Sequence, residues 1–238
     1  QQVFDRSRMG NETSFGLGFS GNEMIGKFVA GNDFNYVQAH ATSIAASGKY
    51  NISSCSSEVI ASGRVQMKNY QAVDLINGLE RHDGYTHAFF KSFTPALQNS
   101  IRQYASQGGR ILISGSYTGS DMQTEEEQAF LSDILKLSYE PTGSTAITRD
   151  INPEDSTVTE RDSIVYTSPN VKGLGLQFSY YNELNAQHYA ATHPEILKPV
   201  GNYAFTAMQY DTGTSAAVAY KSSTYRSFVM GFPLECHI

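Results

Sequence analysis

Apolar residues recur in two different patterns along this chain, and the change falls near residue 139. Before that point, apolar runs of strand length alternate with helical patterns. Strands are predicted over residues 70–77 and 110–114, and a helix between them starts at an N-cap, Thr94, with Pro95 in its first position. Alternation of this kind predicts a parallel sheet that is covered by helices on both faces.

Two further elements flank this alternating region. A helix is predicted over residues 34–46 behind an N-cap at residue 32 or 33, and a short strand over residues 50–53. Downstream, Thr124 and Glu127 have the spacing of a capping box, and apolar residues at helical spacing follow them. These signals extend the predicted helix and strand alternation on both sides.

The second half of the chain has turn signals and short β-like runs in place of helical patterns. A hairpin cue between Asp211 and Gly213 predicts antiparallel pairing of the runs beside it. The β-like runs of this half are 175–181, 203–210, 215–220 and 227–232. We therefore expect a single α/β domain over residues 1–238, built as a three-layer sandwich with a mostly parallel sheet and an antiparallel β extension.

The first 33 residues are rich in glycine and lack periodicity, which predicts a long loop with one short helix near residues 24–29. Two nucleotide-binding patterns occur there, GxGxxG at 16–21 and the start of a P-loop at 21–27. Neither follows a buried strand, and Phe28 replaces the hydroxyl residue that binds magnesium in a P-loop. A flexible loop is the favoured interpretation, and no cofactor is predicted.

Composition narrows the classes of partner. The formal net charge is −6 and the 17 Lys and Arg residues form no runs, which argues against nucleic acid. No apolar run approaches the roughly 20 residues that a membrane helix needs. The two cysteines, Cys55 and Cys236, can pair or stay free.

The balance of aromatic and polar residues bears on location. The chain has no Trp beside 15 Tyr and 13 Phe, and it is rich in uncharged polar residues, which is typical of secreted and cell-surface bacterial proteins. Because the chain begins at Gln1, we expect that a leader or a preceding domain has been removed. The predicted location is secreted, periplasmic or cell-surface.

The predicted strand over residues 110–114 ends in a sharp turn between Gly115 and Gly119. At the carboxyl end of a parallel strand, such a turn lifts one side chain out of the sheet, and in many α/β hydrolases that side chain is the nucleophile. Here it is Tyr117, and a phenol needs strong activation to act as a nucleophile near neutral pH. The predicted ligand-binding residues are Gly115, Ser116, Thr118, Ser120, Asp121 and His87, and capping of the following turn is the alternative role of Ser120 or Asp121.

The run His193-Pro194-Glu195 has two interpretations. An imidazole and a carboxylate can act as the base and the orienting acid of a hydrolytic triad. No predicted strand precedes the pair to hold it rigidly, so a surface turn is favoured. The other histidines lack HxH or HExxH spacing, so no metal site is predicted, with a zinc site built from distant residues as the alternative.

Two segments, Ile111–Gly119 and Phe228–Glu235, resemble class I glutamine amidotransferase-like domains, whose fold is flavodoxin-like. In that family the first segment carries a cysteine nucleophile between two glycines, and the second ends in Phe-His-Pro-Glu. The resemblance places Tyr117 at the cysteine, Pro233 at the histidine and Glu235 at the glutamate. Proline cannot supply an imidazole, so the resemblance implies that glutamine hydrolysis is absent.

The chain also resembles exported bacterial proteins that are labelled xanthan lyase-like, through residues 70–77, 93–121 and 230–235. This resemblance implies a module of a longer multidomain protein that binds envelope or dietary glycan. Two alternatives stay open, a polysaccharide lyase or hydrolase with Tyr117 and Glu235 as catalytic residues, and a structural module that packs against neighbouring domains. The residues expected to assist Tyr117 in such chemistry are His82, His87, Glu235, Lys91 and Arg81.

Overall fold

The computed structural model describes residues 36–82, 91–151, 158–182 and 190–237. Its α-helices are α1 (Tyr36–Ala46), α2 (Ser57–Ala61), α3 (Pro95–Ser106) and α4 (Glu125–Phe130), which a π-helical turn (Leu131–Leu135) continues. Two 3-10 helices span Met67–Asn69 and Leu234–Cys236. The strands are β1 (Val73–Gly78), β2 (Arg110–Gly115), β3 (Leu137–Glu140), β4 (Thr145–Ile151), β5 (Val158–Ile164), β6 (Asn170–Gly173), β7 (Leu176–Ser179), β8 (Ile196–Pro199), β9 (Ala204–Tyr210), β10 (Ser215–Lys221) and β11 (Arg226–Met230).

Seven strands form one sheet in the order β1-β2-β11-β10-β9-β6-β7. β2 pairs in parallel with β1 on one side and with β11 on the other. The remaining neighbours in this sheet are antiparallel, as are the small two-stranded sheets β3-β8 and β4-β5. The main sheet is therefore curled and mostly antiparallel.

The predicted three-layer flavodoxin-like sandwich with a mostly parallel sheet is wrong. In the region where helices and strands alternate, β1 and β2 are the strands that follow each other in the chain and pair in parallel. The hairpin of β9 and β10 does not form a separate extension, because β11 pairs with β10 along one edge and with β2 along the other. The antiparallel strands of the second half thus continue the same sheet, and helices are few.

Local signals predicted individual elements better than they predicted topology. The Thr94 side chain accepts a hydrogen bond from the Leu97 amide at 3.4 Å, and Thr124 and Glu127 form the expected reciprocal capping box. The strand predicted over residues 50–53 is wrong, because that segment has no regular structure and is exposed. The predictions within residues 1–35 lie outside the described residues.

Two apolar clusters lie on opposite faces of the main sheet, because successive side chains of a strand point to opposite faces. Ile113 of β2 and Val229 of β11 pack with Ile101 of α3 in the first cluster. In the second cluster, Met230 packs with Phe232, whose ring stacks on another aromatic ring of that cluster. Helices such as α3 and α4 thus cover the first face, while α1 and the carboxyl-terminal segment pack on the second.

The remaining sequence predictions concern cysteines and membranes. Cys55 is exposed and Cys236 is buried, and the two do not form a disulfide with each other. Across the described segments, no helix combines the length and the apolar character needed to cross a membrane.

Candidate functional site

The carboxyl ends of three parallel strands meet at one edge of the main sheet. Gly78 of β1 pairs with Gly115 of β2, and Met230 of β11 pairs with the residue before Gly115. The turn after β2, residues 115–121, is called the elbow below. Its first amide, that of Ser116, donates to the Gly78 carbonyl at 2.8 Å, which ties the elbow to the end of β1. Polar groups at such an edge are well placed to meet a ligand.

Tyr117 contacts two side chains that come from distant parts of the chain. The guanidinium carbon of Arg81 is 4.7 Å from the centre of the phenol ring, within the range of a cation–π contact. The His193 ring lies 5.2 Å from it, centre to centre, with 32° between the ring planes. Tyr117 and Arg81 are half-buried and His193 is exposed, so this cluster of phenol, guanidinium and imidazole is open to solvent.

Glu195 is bound inside the elbow and is only 4% exposed. Its carboxylate accepts hydrogen bonds from the amides of Gly119 at 2.6 Å and Ser120 at 2.9 Å, and from the Ser120 hydroxyl. Burial raises the pKa of Glu195 to about 7, although these hydrogen bonds act in the opposite direction. The predicted surface turn over residues 193–195 is therefore wrong for Glu195, while His193 is at the surface.

Asp121 connects the elbow to the segment that follows β1. Its two carboxylate oxygens accept hydrogen bonds from the amides of His82 at 3.2 Å and Ser92 at 2.9 Å. The Ser92 hydroxyl in turn lies 3.0 Å from the Tyr117 carbonyl. The role of Asp121 in these contacts is to fix two segments to each other rather than to cap the next turn.

The structure also locates the other predicted binding residues. The side chains of Ser116 and Thr118 are fully buried, and the Thr118 hydroxyl donates to the Gly115 carbonyl at 3.3 Å. A Cβ atom on Gly115 would lie 2.8 Å from the Cβ of Asn77, so this glycine allows β1 and the elbow to approach closely. Among the predicted binding residues that the structure describes, only Ser120 has a half-buried side chain, and the others are buried. Their assignment as ligand contacts stays a prediction, and His87 lies outside the described residues.

Lys91 was one of the two cations expected to assist Tyr117. Its ammonium group forms an ion pair with Glu127 of α4, and both side chains are largely buried. Glu127 also accepts hydrogen bonds from the Gln123 and Thr124 amides, so this carboxylate joins Lys91 to the cap of α4. Of the two cations, Arg81 is the one whose contact with Tyr117 is seen.

Glu235, the second predicted catalytic residue, has a different set of partners. The His40 imidazole of α1 lies with Nδ1 2.7 Å from an Asp74 oxygen and with Nε2 3.3 Å from a Glu235 oxygen. Burial alone would lower the pKa of His40, but the two carboxylates outweigh it and raise this pKa to about 9. With this raised pKa, His40 carries a positive charge at neutral pH. His40, Glu235 and the half-buried Asp74 form an ionic triad that fastens α1 to β1 and to the carboxyl-terminal segment.

Neither His40 nor Glu195 was predicted to have a buried polar role. A weak signal was available for each, since Asp74 interrupts an otherwise apolar strand and Glu195 directly precedes the apolar start of β8. A shallow cleft of about 320 Å³ lies at the opposite end of β2 from the elbow, between Lys68, Tyr104 and Arg110. Within the described part of the chain, no group of His, Cys, Asp and Glu residues is arranged to hold a metal ion.

Comparison with known proteins gives little beyond distant similarity. No family model and no curated protein matches the chain. It is similar to an exo-β-1,4-mannosidase, Op5Man5, from Opitutaceae bacterium strain TAV5, at 14% identity over 60% of this chain and 20% of that one, with a TM-score of 0.32. It is also similar to a β-galactosidase from the Antarctic haloarchaeon Halorubrum lacusprofundi, at 16% identity over 72% of this chain and 21% of that one, with a TM-score of 0.38. The chain thus spans about a fifth of the length of either enzyme.

The prediction that the chain is an amidotransferase-like or xanthan lyase-like domain is wrong. No family model supports the resemblance. The two motifs that suggested it occupy a mostly antiparallel sheet. Pro233 is buried, and Glu235 is bound by a histidine of α1 rather than by a residue of its own segment.

Proposed function

We propose that the open side of the elbow binds carbohydrate and favours sugars that carry a carboxylate. The observation behind this proposal is the contact of Tyr117 with both Arg81 and His193. The three side chains bring a phenol, a guanidinium and an imidazole to one solvent-exposed point at the edge of the sheet.

The chemistry of these three groups suits an acidic sugar. A guanidinium binds a carboxylate through two parallel hydrogen bonds, which gives both affinity and orientation. A phenol and an imidazole can each donate to or accept from sugar hydroxyls. Arg81 would therefore recognise the carboxylate, while Tyr117 and His193 would contact neighbouring hydroxyls.

Buried polar residues of the elbow support the cluster of Tyr117, Arg81 and His193. Ser116, Thr118, Asp121 and Glu195 are buried, and hydrogen bonds connect the elbow to the segments before β8 and after β1. A binding site is more selective when its side chains stand on a rigid support, because less motion is lost when the ligand binds. The exposed polar groups and the buried support are the two features that a small glycan site needs.

A second candidate function is cleavage of such a glycan by elimination. This reaction needs a base that removes the proton beside the sugar carboxylate and a cation that neutralises that carboxylate. The contact of Arg81 with Tyr117 favours this candidate, since the phenol or the nearby imidazole of His193 could act as the base. The base would be the Tyr117 phenolate or the neutral His193 imidazole, which would take the proton beside the carboxylate. The carbon–oxygen bond to the leaving sugar would break as the double bond forms, and the leaving oxygen would take up a proton from the other of these two groups or from water.

Binding is tested with matched acidic and neutral oligosaccharides, namely oligogalacturonate and alginate fragments against β-mannan and β-galactan fragments, by titration calorimetry. We expect acidic fragments to bind more tightly, and Arg81→Gln to weaken them by at least about tenfold, or roughly 1.4 kcal/mol. Arg64→Gln is the control, because Arg64 is an exposed arginine in another part of the structure. Equal affinity for acidic and neutral fragments, or none for either, would contradict the proposal.

Elimination is tested on the same acidic fragments by the ultraviolet absorbance of the unsaturated product. The wild type should release product, and Tyr117→Phe and His193→Ala should each reduce the rate. Tyr203→Phe serves as the control, because Tyr203 is 73% exposed and lies outside the elbow. Binding without product would leave the binding function in place and rule out elimination of these fragments.

A further inference from the structure

Glu195 joins two segments that are far apart in the sequence. The amides that bind its carboxylate belong to Gly119 and Ser120, two and three residues after Tyr117. Glu195 itself lies two residues after His193. Three hydrogen bonds to one carboxylate therefore connect the segment that carries the imidazole to the turn that carries the phenol.

The main chain of Glu195 is fixed on its other side by the sheet. Its amide donates to the Gly231 carbonyl at 2.6 Å, and its carbonyl accepts from the Tyr210 hydroxyl at 2.9 Å. A Cβ atom on Gly231 would lie 2.4 Å from the Glu195 carbonyl oxygen, so the two backbones are in close contact. The position of Glu195 is set by β9 and the end of β11, and only its side chain reaches the elbow.

We propose that Glu195 is a positioning residue, whose ionised carboxylate holds the elbow so that Tyr117 stays against His193. This inference rests on the proposed function, because it assigns a purpose to the contact between Tyr117 and His193. Hydrogen bonds from amides to a carboxylate are shorter and stronger than those to a neutral acid. Ionisation of Glu195 should therefore tighten the contact, and protonation should loosen it.

Several other groups surround this carboxylate and bear on its ionisation. The Asp121 carboxylate opposes a second negative charge. Burial raises the pKa of the Tyr139 and Tyr210 phenols, and the nearby Glu195 carboxylate adds to this. The groups that donate to Glu195 are two amides and a hydroxyl, none of which titrates near neutral pH. With the pKa of Glu195 at about 7, its ionisation falls where small changes of pH alter its charge.

The test uses nuclear magnetic resonance of the ligand-free protein. In the wild type, the amide proton resonances of Gly119 and Ser120 should shift together with one midpoint near neutral pH. A nuclear Overhauser contact between the rings of Tyr117 and His193 should strengthen over the same interval. Absence of any shared titration of the two amides between pH 5 and 9 would overturn the proposal.

Two variants separate positioning from folding. Glu195→Gln keeps the shape and one acceptor oxygen, so we expect the fold to remain. The shared titration of the two amides should disappear, and the contact between the Tyr117 and His193 rings should no longer strengthen with pH. Glu195→Ala should lose the ring contact, and Glu126→Gln is the control on the exposed face of α4. If the alanine variant does not fold, the glutamine variant decides alone, and a titration of the two amides that survives in it overturns the proposal.

The same variants distinguish this inference from the proposed function. The amide titration is read without any glycan, so a failure to bind sugars leaves that result standing. If acidic sugars bind the wild type, Glu195→Gln should change the pH dependence of binding, whereas Glu126→Gln should not. Sugar binding with an unchanged pH profile in Glu195→Gln would overturn the positioning role and keep the binding function.

Discussion

Glu195 and Glu235 are buried to the same extent, with 4% of each exposed, but they are stabilised by opposite means. Glu195 accepts hydrogen bonds from neutral groups of the elbow, whereas Glu235 lies beside the His40 imidazolium. Neutral donors leave burial as the dominant influence, so the pKa of Glu195 rises to about 7. Glu235 therefore belongs to a structural clamp with a cation, while Glu195, which is held by amides and a hydroxyl, has a pKa close to neutral pH.

The largest expected effect comes from removing the cation of the clamp. His40→Ala would remove the imidazolium that contacts both the half-buried Asp74 and the buried Glu235, and removing one partner of a buried ion pair costs about 3–5 kcal/mol. We expect a loss of this size in the free energy of unfolding, measured in urea. The control, His237→Ala, replaces an exposed histidine and should stay within about 0.5 kcal/mol of the wild type. Similar losses in both variants would show that the triad is not a clamp.

The pH dependence of stability should separate the two regions. The pKa of Glu195 is raised from 4.5 to about 7, so its contribution to stability is fully present below pH 4.5 and is lost as the pH rises through 7. The pKa of His40 is raised from 6.5 to about 9, so its contribution is present below pH 6.5 and is lost as the pH rises through 9. Each phase should amount to on the order of 1–3 kcal/mol.

Urea unfolding at a series of pH values checks this prediction with one variant for each phase. Glu195→Gln should reduce the decline between pH 5 and 7 and keep the decline between pH 7 and 9. His40→Ala should remove the decline between pH 7 and 9 and keep the lower one. Glu80 also has a pKa raised to about 7, mainly by burial, so some decline at the lower pH should remain in Glu195→Gln. An unchanged lower phase in that variant would mean that Glu195 does not titrate near neutral pH.

A smaller effect should follow from crowding the elbow. A Cβ atom on Gly119 would lie 2.6 Å from the Cβ of Tyr139, so Gly119→Ala must displace the amide that binds Glu195. We expect a loss of about 2 kcal/mol in the free energy of unfolding, typical of an overpacked site. The control is Gly143→Ala. There φ is +80°, but an added Cβ would meet no other atom within 4 Å, so only backbone strain of about 1 kcal/mol applies. A smaller loss for Gly119→Ala than for this control would contradict the close packing.

The smallest effect should come from a single donor. Ser120→Ala removes the hydroxyl that binds Glu195 but keeps the amides of Gly119 and Ser120. We expect a loss of about 1 kcal/mol, measured by urea unfolding beside Ser106→Ala on the exposed face of α3. The midpoint of the Glu195 titration should rise, because the hydroxyl favours the ionised form. A lower midpoint would assign the hydroxyl the opposite role.

Local elements could be predicted from the sequence where the signal lies within a few residues. The cap at Thr94, the capping box at Thr124 and the apolar run of β2 are such cases. The topology could not be predicted in this way, because the parallel pairing of β2 with β11 joins segments more than 100 residues apart. The pattern of β11 is equally compatible with a hairpin strand. The fold prediction therefore extended the alternation of helix and strand around β1 and β2 to a mostly parallel sheet, which the structure does not have.

The candidate site shows the same division between local and distant information. The turn around Tyr117 was found from its glycines and the strand before it. Its contact with Arg81 and His193 depends on two other segments reaching the same edge of the sheet, which no local pattern indicates. The burial of Glu195 could not be inferred either, because its donors are backbone amides that any residues could supply.

The position of β11 has a consequence for the order in which the protein assembles. β11 joins the parallel strands to the antiparallel ones, yet it follows every other strand of the sheet in the chain. During synthesis, β2 and β10 therefore each keep one edge with unpaired backbone groups until β11 is made. Such edges can pair with other chains. Until Arg226–Met230 emerges, the nascent protein holds two partial sheets, and we expect a chain that stops before this strand to aggregate rather than to fold.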